Sequence, residues 1–319
     1  MESGDRNKGY LVWIVLAVAL SSVIAFTGGY YAGVLMTDDG EPGTGDDDSI
    51  LLVDDYGRIV ELEHVPERIV SAAPTPTEML FAVGAGDLVV GVDDYSDYPA
   101  EVANLTKVGS YTLNTEVIVG LQPDLVVSSD LVPLSQLELL EDQGIPYVIL
   151  ATRTLEDVMK DIRLVGILTG HVEEANTLAD QLEDRIDAVT EKTQAVDLVK
   201  PRVYLEYYPY WTYGPGSFGH DLIELAGGIN IAENTSTEYP MLTSEFVIAQ
   251  DPEVIVYTVG YMTTTTAEEI SSRPGWDVIT AVSEGNIYSM DDNLTSRYGP
   301  RIVDGLEMLA ELLHPDLFE

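Results

Sequence analysis

The chain has 319 residues, 45% of them hydrophobic, which is enough for about two domains with sizeable cores. Its 55 acidic residues against 15 basic ones give a formal net charge of −40, which argues against nucleic-acid binding, because that requires a basic surface. The absence of cysteine excludes disulfides, zinc–thiolate and iron–sulfur centres, thiol nucleophiles and a lipid anchor on an N-terminal cysteine. Two explanations of the acidity stay open: a solvated surface suited to high salt, and a surface that binds cations or mimics DNA.

The N-terminal stretch from Leu11 to Met36 carries no charged residue and is long enough to span a bilayer as a helix. Arg6 and Lys8 precede it, and an acidic run containing Gly and Pro follows it. This distribution predicts a cytoplasmic tip (1–10), an uncleaved transmembrane anchor (11–36), a flexible linker (37–50) and an extracytoplasmic C-terminal bulk at the cell membrane. A cleaved signal peptide is the alternative, disfavoured because the apolar stretch is long and its exit is ambiguous.

Residues 51–153 alternate short β-rich runs with helical patterns, which is typical of a parallel sheet covered by helices on both faces. The segments predicted as strands are 68–71, 88–92, 124–128 and 147–150. The segments predicted as helices are 77–83, 116–121 and 134–143. This range is therefore predicted to be an α/β lobe.

Residues 154–193 follow with almost no strand pattern. Thr154 and Asp157 resemble a capping box that begins a helix, and Gly170 ends it. A second helix, from about Val172 to Lys192, has an apolar face and is long enough to cross one domain. The segment is predicted to be a stiff helical link.

Residues 194–319 repeat the plan of the first lobe. The segments predicted as strands are 202–206, 254–258 and 286–290, and those predicted as helices are 221–226, 245–250 and 299–313. The sequence thus predicts an α/β protein of two Rossmann-like lobes joined by a single long helix, preceded by an N-terminal transmembrane helix.

One pattern recurs at matching places in the two lobes. Glu116 is followed seven positions later by Pro123 and then a β-rich run, and Glu245 is followed at the same distance by Pro252 and another such run. Two lobes built on one plan are the simplest explanation. Chance similarity between common α/β segments is the alternative.

Six short strings occur in a fixed order along the chain. They are Arg68-Ile-Val-Ser-Ala-Ala-Pro-Thr-Pro-Thr-Glu, Leu80-Phe-Ala-Val-Gly-Ala-Gly, Val90-Gly-Val-Asp-Asp-Tyr-Ser-Asp-Tyr-Pro, Leu121-Gln-Pro-Asp-Leu-Val, Leu225-Ala-Gly-Gly-Ile-Asn-Ile-Ala and Arg297-Tyr-Gly-Pro-Arg. In this order they resemble the helix-linked (class III) periplasmic binding proteins of vitamin B12, haem and ferric-siderophore importers. Ser96-Asp97-Tyr98-Pro99 and Tyr239-Pro240 resemble the B12-binding branch in particular. The resemblance covers about residues 54–319.

The resemblance implies a membrane-tethered, extracytoplasmic solute-binding protein, monomeric and not an enzyme. Its ligand would be a bulky metal chelate, with cobalamin or another corrinoid as the first choice and a ferric siderophore or haem as the alternative. It would deliver this ligand to an ABC permease dimer with its ATPase subunits. No catalytic residue, no metal ligand of the protein's own and no cofactor are implied.

The resemblance also gives a role to the two repeated acids. In the family an acidic residue on each lobe meets arginine pockets on the permease, and Glu116 and Glu245 occupy the matching positions. A two-fold symmetric importer offers two equal docking sites, so a partner with similar halves needs one charge on each. The simpler explanation of either residue alone is that glutamate suits a helix N-terminus.

A cleft between two lobes is the usual place for a ligand, lined by loops at the carboxyl ends of the strands. The chain has 18 Tyr against 5 Phe, and Tyr and Trp offer flat apolar surface with a polar tip. The residues predicted to bind the ligand are Thr75, Pro76, Tyr95, Tyr111, Tyr208, Trp211, Tyr239 and Arg297. Trp211 is the leading stacking candidate. Arg297 resembles the family's ligand-facing arginine and would pair with a carboxylate or phosphate, the alternative being a salt bridge to an acid such as Asp291 or Asp292.

Two other classes of function compete with transport. A dinucleotide-binding enzyme is disfavoured because Gly84-Ala-Gly86 follows a helix and not a strand, and a hydrolase is disfavoured because the run 214–219 lacks the G-x-S-x-G pattern. A sensor that binds a ligand without importing it would not need matched docking acids. The four histidines are widely spread, unlike the clusters of zinc or manganese carriers, and His220 is a minor candidate for an axial ligand.

Overall fold

A computed structural model of the chain describes residues 49–260 and 263–318. The predicted cytoplasmic tip, transmembrane anchor and nearly all of the acidic linker lie outside the described residues. In the part that is described, no helix is both long and apolar enough to cross a membrane.

The first lobe contains an antiparallel hairpin and a parallel sheet. The hairpin, which the sequence analysis did not predict, pairs β1 (Ile50–Val53) with β2 (Ile59–Leu62). The sheet has the order β5-β4-β3-β6-β7, and its strands are β3 (Ile69–Ser71), β4 (Val89–Val92), β5 (Thr106–Lys107), β6 (Leu125–Ser129) and β7 (Tyr147–Leu150). The helices of this lobe are α1 (Pro74–Ala82), α2 (Thr115–Leu121) and α3 (Leu134–Glu141). All five residues of β6 are buried, as expected for a strand whose sheet is covered on both faces.

Two consecutive helices connect the lobes. In α4 (Leu155–Thr169) the Thr154 hydroxyl accepts the backbone N–H of Asp157, and the Asp157 carboxylate accepts that of Thr154, which confirms the predicted capping box. Gly170 follows with φ 74° and ends the helix, and α5 (Val172–Thr193) then runs for 22 residues. The helix α4 packs against α1 and along α5.

The second lobe has a sheet of the same kind. Its parallel strands have the order β10-β8-β11-β12 and are β8 (Arg202–Tyr208), β10 (Ile229–Asn230), β11 (Val254–Val259) and β12 (Ile287–Asp291). The short strand β9 (Trp211–Thr212) lies antiparallel to β8. The helices are α6 (Phe218–Leu225), α7 (Ser244–Gln250), α8 (Ala267–Ser271), α9 (Thr280–Glu284), α10 (Asn293–Ser296) and α11 (Ile302–Leu313). The order β10-β8-β11-β12 reproduces β4-β3-β6-β7 of the first lobe.

One apolar core continues through both lobes. It includes Leu125 of β6, Ile162 of α4, Leu182 of α5 and Leu205 of β8, and it extends to Leu309 of α11, which packs against α5. Separate apolar clusters fill the other face of each sheet. The lobes are therefore joined by close packing as well as by the chain, which makes the link between them stiff.

A partly buried ionic cluster ties α4 to the β1–β2 hairpin. The ammonium nitrogen of Lys160 lies 2.7 Å from a carboxylate oxygen of Asp55, 3.3 Å from one of Asp157 and 3.4 Å from one of Asp161. The Thr152 hydroxyl donates to the other Asp161 oxygen at 2.7 Å. Burial, and then the nearby charge of Asp55, raise the pKa of Asp161 to about 8 although Lys160 opposes the shift.

Asp161 should make folding less favourable as the pH rises from about 4 to about 8. In this window the folded state holds a proton on Asp161 that the unfolded chain has lost, so the free energy of unfolding falls with rising pH. Lys160 stays charged throughout, because its pKa is also raised. Denaturant titrations at several pH values should therefore show the stability of the wild type declining relative to that of Asp161→Asn. A difference that does not change with pH would contradict this, and the exposed Asp180→Asn serves as control.

Candidate functional site

Two adjoining cavities, of about 460 and 420 Å³, lie between the lobes. The first lobe contributes residues that follow β3, β4 and β6, and the second lobe contributes residues that follow β12. Both cavities are thus at the carboxyl ends of parallel strands, where α/β sheets usually bind ligands. The residues that the two cavities share are Ala73, Pro74, Ser129, Leu131, Ser296 and Arg297.

Five of the eight residues predicted to bind the ligand line these cavities. Tyr95 and Tyr111 line the larger one, Thr75 and Tyr239 line the smaller one, and Arg297 lines both. Residues from both lobes and from five separate stretches of the chain are therefore brought to one cleft.

Pro76, Tyr208 and Trp211 line neither cavity. The helix α1 begins at Pro74, three residues earlier than predicted, so Pro76 lies within its first turn and is buried, while Pro74 lines both cavities. Tyr208 and Trp211 are partners in the β8–β9 pairing, and Trp211 also forms a β-bridge with Met241. The leading stacking candidate of the sequence analysis is therefore part of a small antiparallel ribbon and not of these cavity walls.

Aromatic rings form part of the wall on each side of the cleft. The Tyr95 and Tyr111 rings lie 6.1 Å apart at the larger cavity. At the smaller cavity the Tyr239 hydroxyl lies 3.1 Å from that of Tyr298, whose ring stacks on Phe218 at 4.4 Å. Burial raises the pKa of Tyr298, so its hydroxyl stays neutral. Each wall thus offers flat apolar area with hydroxyl groups at its rim.

Arg297 lies where the two cavities meet and pairs with the opposite lobe. Its guanidinium forms ion pairs with Glu78 at 3.4 Å and with Asp97 at 2.5 Å, and it donates to the Tyr95 carbonyl at 3.2 Å. The acids that hold it are therefore in the first lobe, and not the sequence neighbours Asp291 and Asp292 that the sequence analysis suggested.

Arg301 makes a second connection between the lobes, which the sequence analysis missed. Its Nε and Nη2 donate to the two carboxylate oxygens of Glu78 at 2.9 and 2.6 Å, and the guanidinium lies 3.9 Å from the centre of the Tyr98 ring. The Glu78 side chain is buried, and its carboxylate forms ion pairs with both of these arginines of the second lobe. The available signal was the presence of Glu78 and Arg301 at the ends of two of the strings quoted above.

The two helices that present the predicted docking acids are built alike. Glu116 and Glu245 are exposed and are the second residues of α2 and α7. Each helix has seven residues and a polar cap, since Asn114 accepts the Val117 N–H in α2 and Thr243 accepts the Phe246 N–H in α7. Each ends at a non-glycine residue in the left-handed region, Gln122 (φ 49°) or Asp251 (φ 45°).

The similarity extends to the contacts behind these helices. The Asp124 carboxylate accepts the Arg68 N–H at 2.9 Å, and the Glu253 carboxylate accepts the Arg202 N–H at 3.0 Å. The side chains of these two arginines, at the starts of β3 and β8, donate to carbonyl groups at the end of α2 and α7 respectively. The repeated acid–proline pattern thus corresponds to a repeated structural unit.

The structure argues against a metal-ligating role for His220. The Asn230 amide donates to its Nδ1 at 3.0 Å, and other bonds to Tyr213 and Ala232 fix the orientation of that amide. The proton of the neutral ring must therefore be on Nε2, which lies 3.6 Å from Glu224 and has no lone pair left for a metal. His220, Asp221 and Glu224 are close enough together to hold an ion, but this protonation disfavours it. Among the described residues that line the two cavities there is no histidine.

Two lobes of one α/β plan with a cleft at their strand ends define a two-lobed ligand-binding protein. A family profile described as "Periplasmic binding protein" matches residues 69–294. The chain is 31% identical to the "Uncharacterized ABC transporter substrate-binding lipoprotein YvrC" of Bacillus subtilis, covering 82% of this chain and 84% of that one. It is 30% identical to the "Cobalamin-binding protein" of Halobacterium salinarum, covering 80% and 71%. The "Periplasmic heme-binding protein RhuT" of Roseiflexus sp. RS-1 has a similar fold, with TM-score 0.71 and 29% identity over 79% of this chain and 99% of that one.

The chain therefore belongs to the periplasmic binding protein family, which confirms the resemblance found in its sequence. Members of this family are binding proteins and not enzymes, so the hydrolase alternative is set aside. What such a protein holds is a ligand that it releases again, and not a cofactor.

Proposed function

We propose that the chain is the extracytoplasmic substrate-binding protein of an ABC importer, carrying a bulky metal chelate, with a corrinoid first, in the interlobe cleft. The assignment to an importer rests on the similar construction of the two helices that present Glu116 and Glu245. A ligand-binding sensor has no use for a matched pair of exposed acids, whereas a permease dimer has two equal sites for them. The substrate-binding name of the relative from Bacillus subtilis agrees with this assignment.

The placement of the two acids relative to the cleft supports docking. The helix α2 leads into β6 and α7 leads into β11, so each runs opposite to the strands of its sheet. The first turns of both helices are therefore at the edge of the sheets where the strands end and the cavities open. Glu116 and Glu245 are then on the cleft side of their lobes, where a permease that receives the ligand would contact both.

The size and walls of the cleft support a large, flat ligand. Each cavity is within the range of about 300–1,000 Å³ usual for small-molecule sites, and the two adjoin at Arg297. The tyrosine pairs on either side offer surface for a macrocycle. The cobalamin-binding relative favours a corrinoid. Haem is the second candidate, favoured by the structural similarity to a haem-binding protein, and a ferric siderophore is the third.

The rest of the proposal concerns how the protein is held outside the cell. The tether would be the apolar stretch 11–36, which lies outside the described residues, since none of the 319 residues is a cysteine that could carry a lipid. The ligand-binding part would act as a monomer, one copy docking across both permease subunits.

The proposal is tested by titrating the protein with cyanocobalamin, haemin and ferrichrome, following tryptophan fluorescence and heat. We expect cyanocobalamin to bind one-to-one, with a dissociation constant of about 1 μM or below. Binding of haemin alone would assign the second candidate, and binding of ferrichrome alone the third. If none of the three binds, the assignment as a chelate carrier is wrong.

Removing a cavity-lining ring should weaken binding. Tyr239→Ala and Tyr111→Ala are each expected to lower the affinity for cyanocobalamin about tenfold, because each removes apolar area from a wall of the cleft. Trp211→Ala should have little effect, since Trp211 lines neither cavity. Calorimetric titration of the three variants, with thermal unfolding to verify the fold, measures this. A larger loss in Trp211→Ala than in the tyrosine variants would favour the sequence-based prediction over the two cavities.

A further inference from the structure

We infer that the cleft selects its ligand by charge, accepting a neutral or cationic chelate with amide groups at its edge and discriminating against one with carboxylates. The inference rests on the proposed function, because it takes the two interlobe cavities as the ligand site. It goes further by naming the chemical class that these walls fit.

Acidic side chains outnumber basic ones around the cleft. The acids that line the two cavities are Asp93, Asp94, Asp97, Asp130, Glu238 and Asp292, and the bases are Arg153 and Arg297. Burial raises the pKa of Asp93, which favours its uncharged form. If Asp93 is left out of the comparison, five carboxylates still face two guanidinium groups. The field in the cleft is therefore negative, and the walls of a cavity concentrate such a field.

Neither arginine offers an unmatched positive charge. Arg297 is paired with Glu78 and Asp97, and Glu78 in turn is shared with Arg301. The Arg153 guanidinium lies 2.5 Å from the Asp130 carboxylate. A carboxylate on the ligand that paired with either arginine would therefore lie close to the acid that already neutralises it, and the two like charges would repel.

Two of the carboxylates face the cleft without a cation beside them. Within the described residues, neither Asp94 nor Glu238 has an ion-pair partner, and both are exposed. They line different cavities, Asp94 the larger and Glu238 the smaller. A negative ligand would therefore meet uncompensated charge in either cavity, whereas amide N–H groups would find acceptors in both.

The remaining polar lining suits uncharged hydrogen-bonding groups. It consists of hydroxyl and amide side chains, namely those of Ser110, Ser129, Ser296, Thr75, Thr152 and Asn293. Such groups can donate to and accept from a ligand amide. They bring no positive charge that would offset a ligand carboxylate.

The test compares ligands that differ by charge and hardly at all in shape. The first pair is cyanocobalamin and its monocarboxylic acid, in which one propionamide is hydrolysed to a propionate. The second pair is haemin dimethyl ester and haemin, which serves if the ligand is not a corrinoid. We expect the more negative member of the binding pair to bind at least about tenfold more weakly at low ionic strength, with a smaller difference at high salt.

A variant locates the source of the discrimination. Asp94→Asn keeps the shape of the side chain and removes one negative charge from the wall, so it should reduce the affinity ratio within the pair several-fold. The matched control is Asp87→Asn, which removes an exposed carboxylate of the same lobe that lines neither cavity and should leave the ratio unchanged. An equal effect of both variants would trace the discrimination to the net charge of −40 and overturn the inference.

The outcomes separate this inference from the proposed function. Equal affinity for the two members of a binding pair, or tighter binding of the acid, overturns charge selection while the chelate-carrier function stands. Failure of all four compounds and of ferrichrome to bind overturns the proposed function, and the inference with it.

Discussion

Replacing Glu116 and Glu245 together by alanine should abolish ligand uptake by cells while leaving the affinity of the purified protein for its ligand nearly unchanged. Both side chains are exposed and line neither cavity, so their loss removes charge from the proposed docking surface without altering the cleft. Uptake of radiolabelled cyanocobalamin in a strain that lacks the native protein, with calorimetric titration of the same variant, measures both quantities. Each single variant would keep one of the two proposed charge contacts that orient the protein on the permease. It should therefore reduce uptake to an intermediate level.

The control for this experiment removes the same net charge elsewhere. Glu138→Ala with Glu268→Ala changes two exposed acids, one on α3 and one on α8, and should leave uptake close to that of the wild type. Normal uptake by the Glu116/Glu245 variant, or a comparable loss in the control, would refute the docking assignment.

Glu78→Gln should destabilise the folded protein by roughly 3 kcal/mol, the magnitude typical of removing one partner from a buried ion pair. The Glu78 side chain is 2% exposed, and its charge is shared by Arg297 and Arg301, which are 13% and 18% exposed. In the described part of the chain Glu78 is the only acid for which an ion pair with Arg301 is observed, so the variant leaves that guanidinium without its ion-pair partner. Urea unfolding of both proteins measures the difference.

The comparison for this variant is an exposed pair in the same lobe. Glu141 is 61% exposed and pairs with Arg58, so Glu141→Gln should change the free energy of unfolding by less than about 1 kcal/mol. If Glu78→Gln costs no more than Glu141→Gln, the contact between the lobes contributes little to stability and the interpretation of Glu78 as their common anchor is wrong.

Local patterns in the sequence predicted most of the regular structure. The alternation of strand and helix patterns, the Thr154–Asp157 capping box and the end of α4 at Gly170 all depend on neighbouring residues, and the structure has each of them. The prediction of two lobes placed the cleft between them, and Tyr95, Tyr111 and Tyr239 lie in it because they follow or precede elements that were located correctly.

What the sequence could not predict depends on contacts between distant residues. The pairing of Glu78 with Arg301 joins positions 223 residues apart, and no local pattern encodes it. The richness of the chain in tyrosine does not say which rings face the cleft, so Trp211 was chosen although it lies on the β8–β9 ribbon. The start of α1 was misplaced because the two prolines at 74 and 76 were interpreted as a loop, whereas proline is well suited to the first turn of a helix.

The side chain of Arg68 connects α2, the first of the two proposed docking helices, to a strand that leads to the wall of the cleft. Arg68 fastens the end of α2 to the start of β3, and the far end of β3 leads into Ala72, Ala73 and Pro74 of the cavity wall. The path from the first turn of α2, which carries Glu116, to this part of the cavity wall therefore runs through the seven residues of α2 and the three of β3. On the proposed function, a force on Glu116 would reach the wall through rigid, closely packed elements and would need no unfolding on the way. Capture of the ligand at the wall and docking of Glu116 on the permease would then be coupled through one short, stiff path in the first lobe.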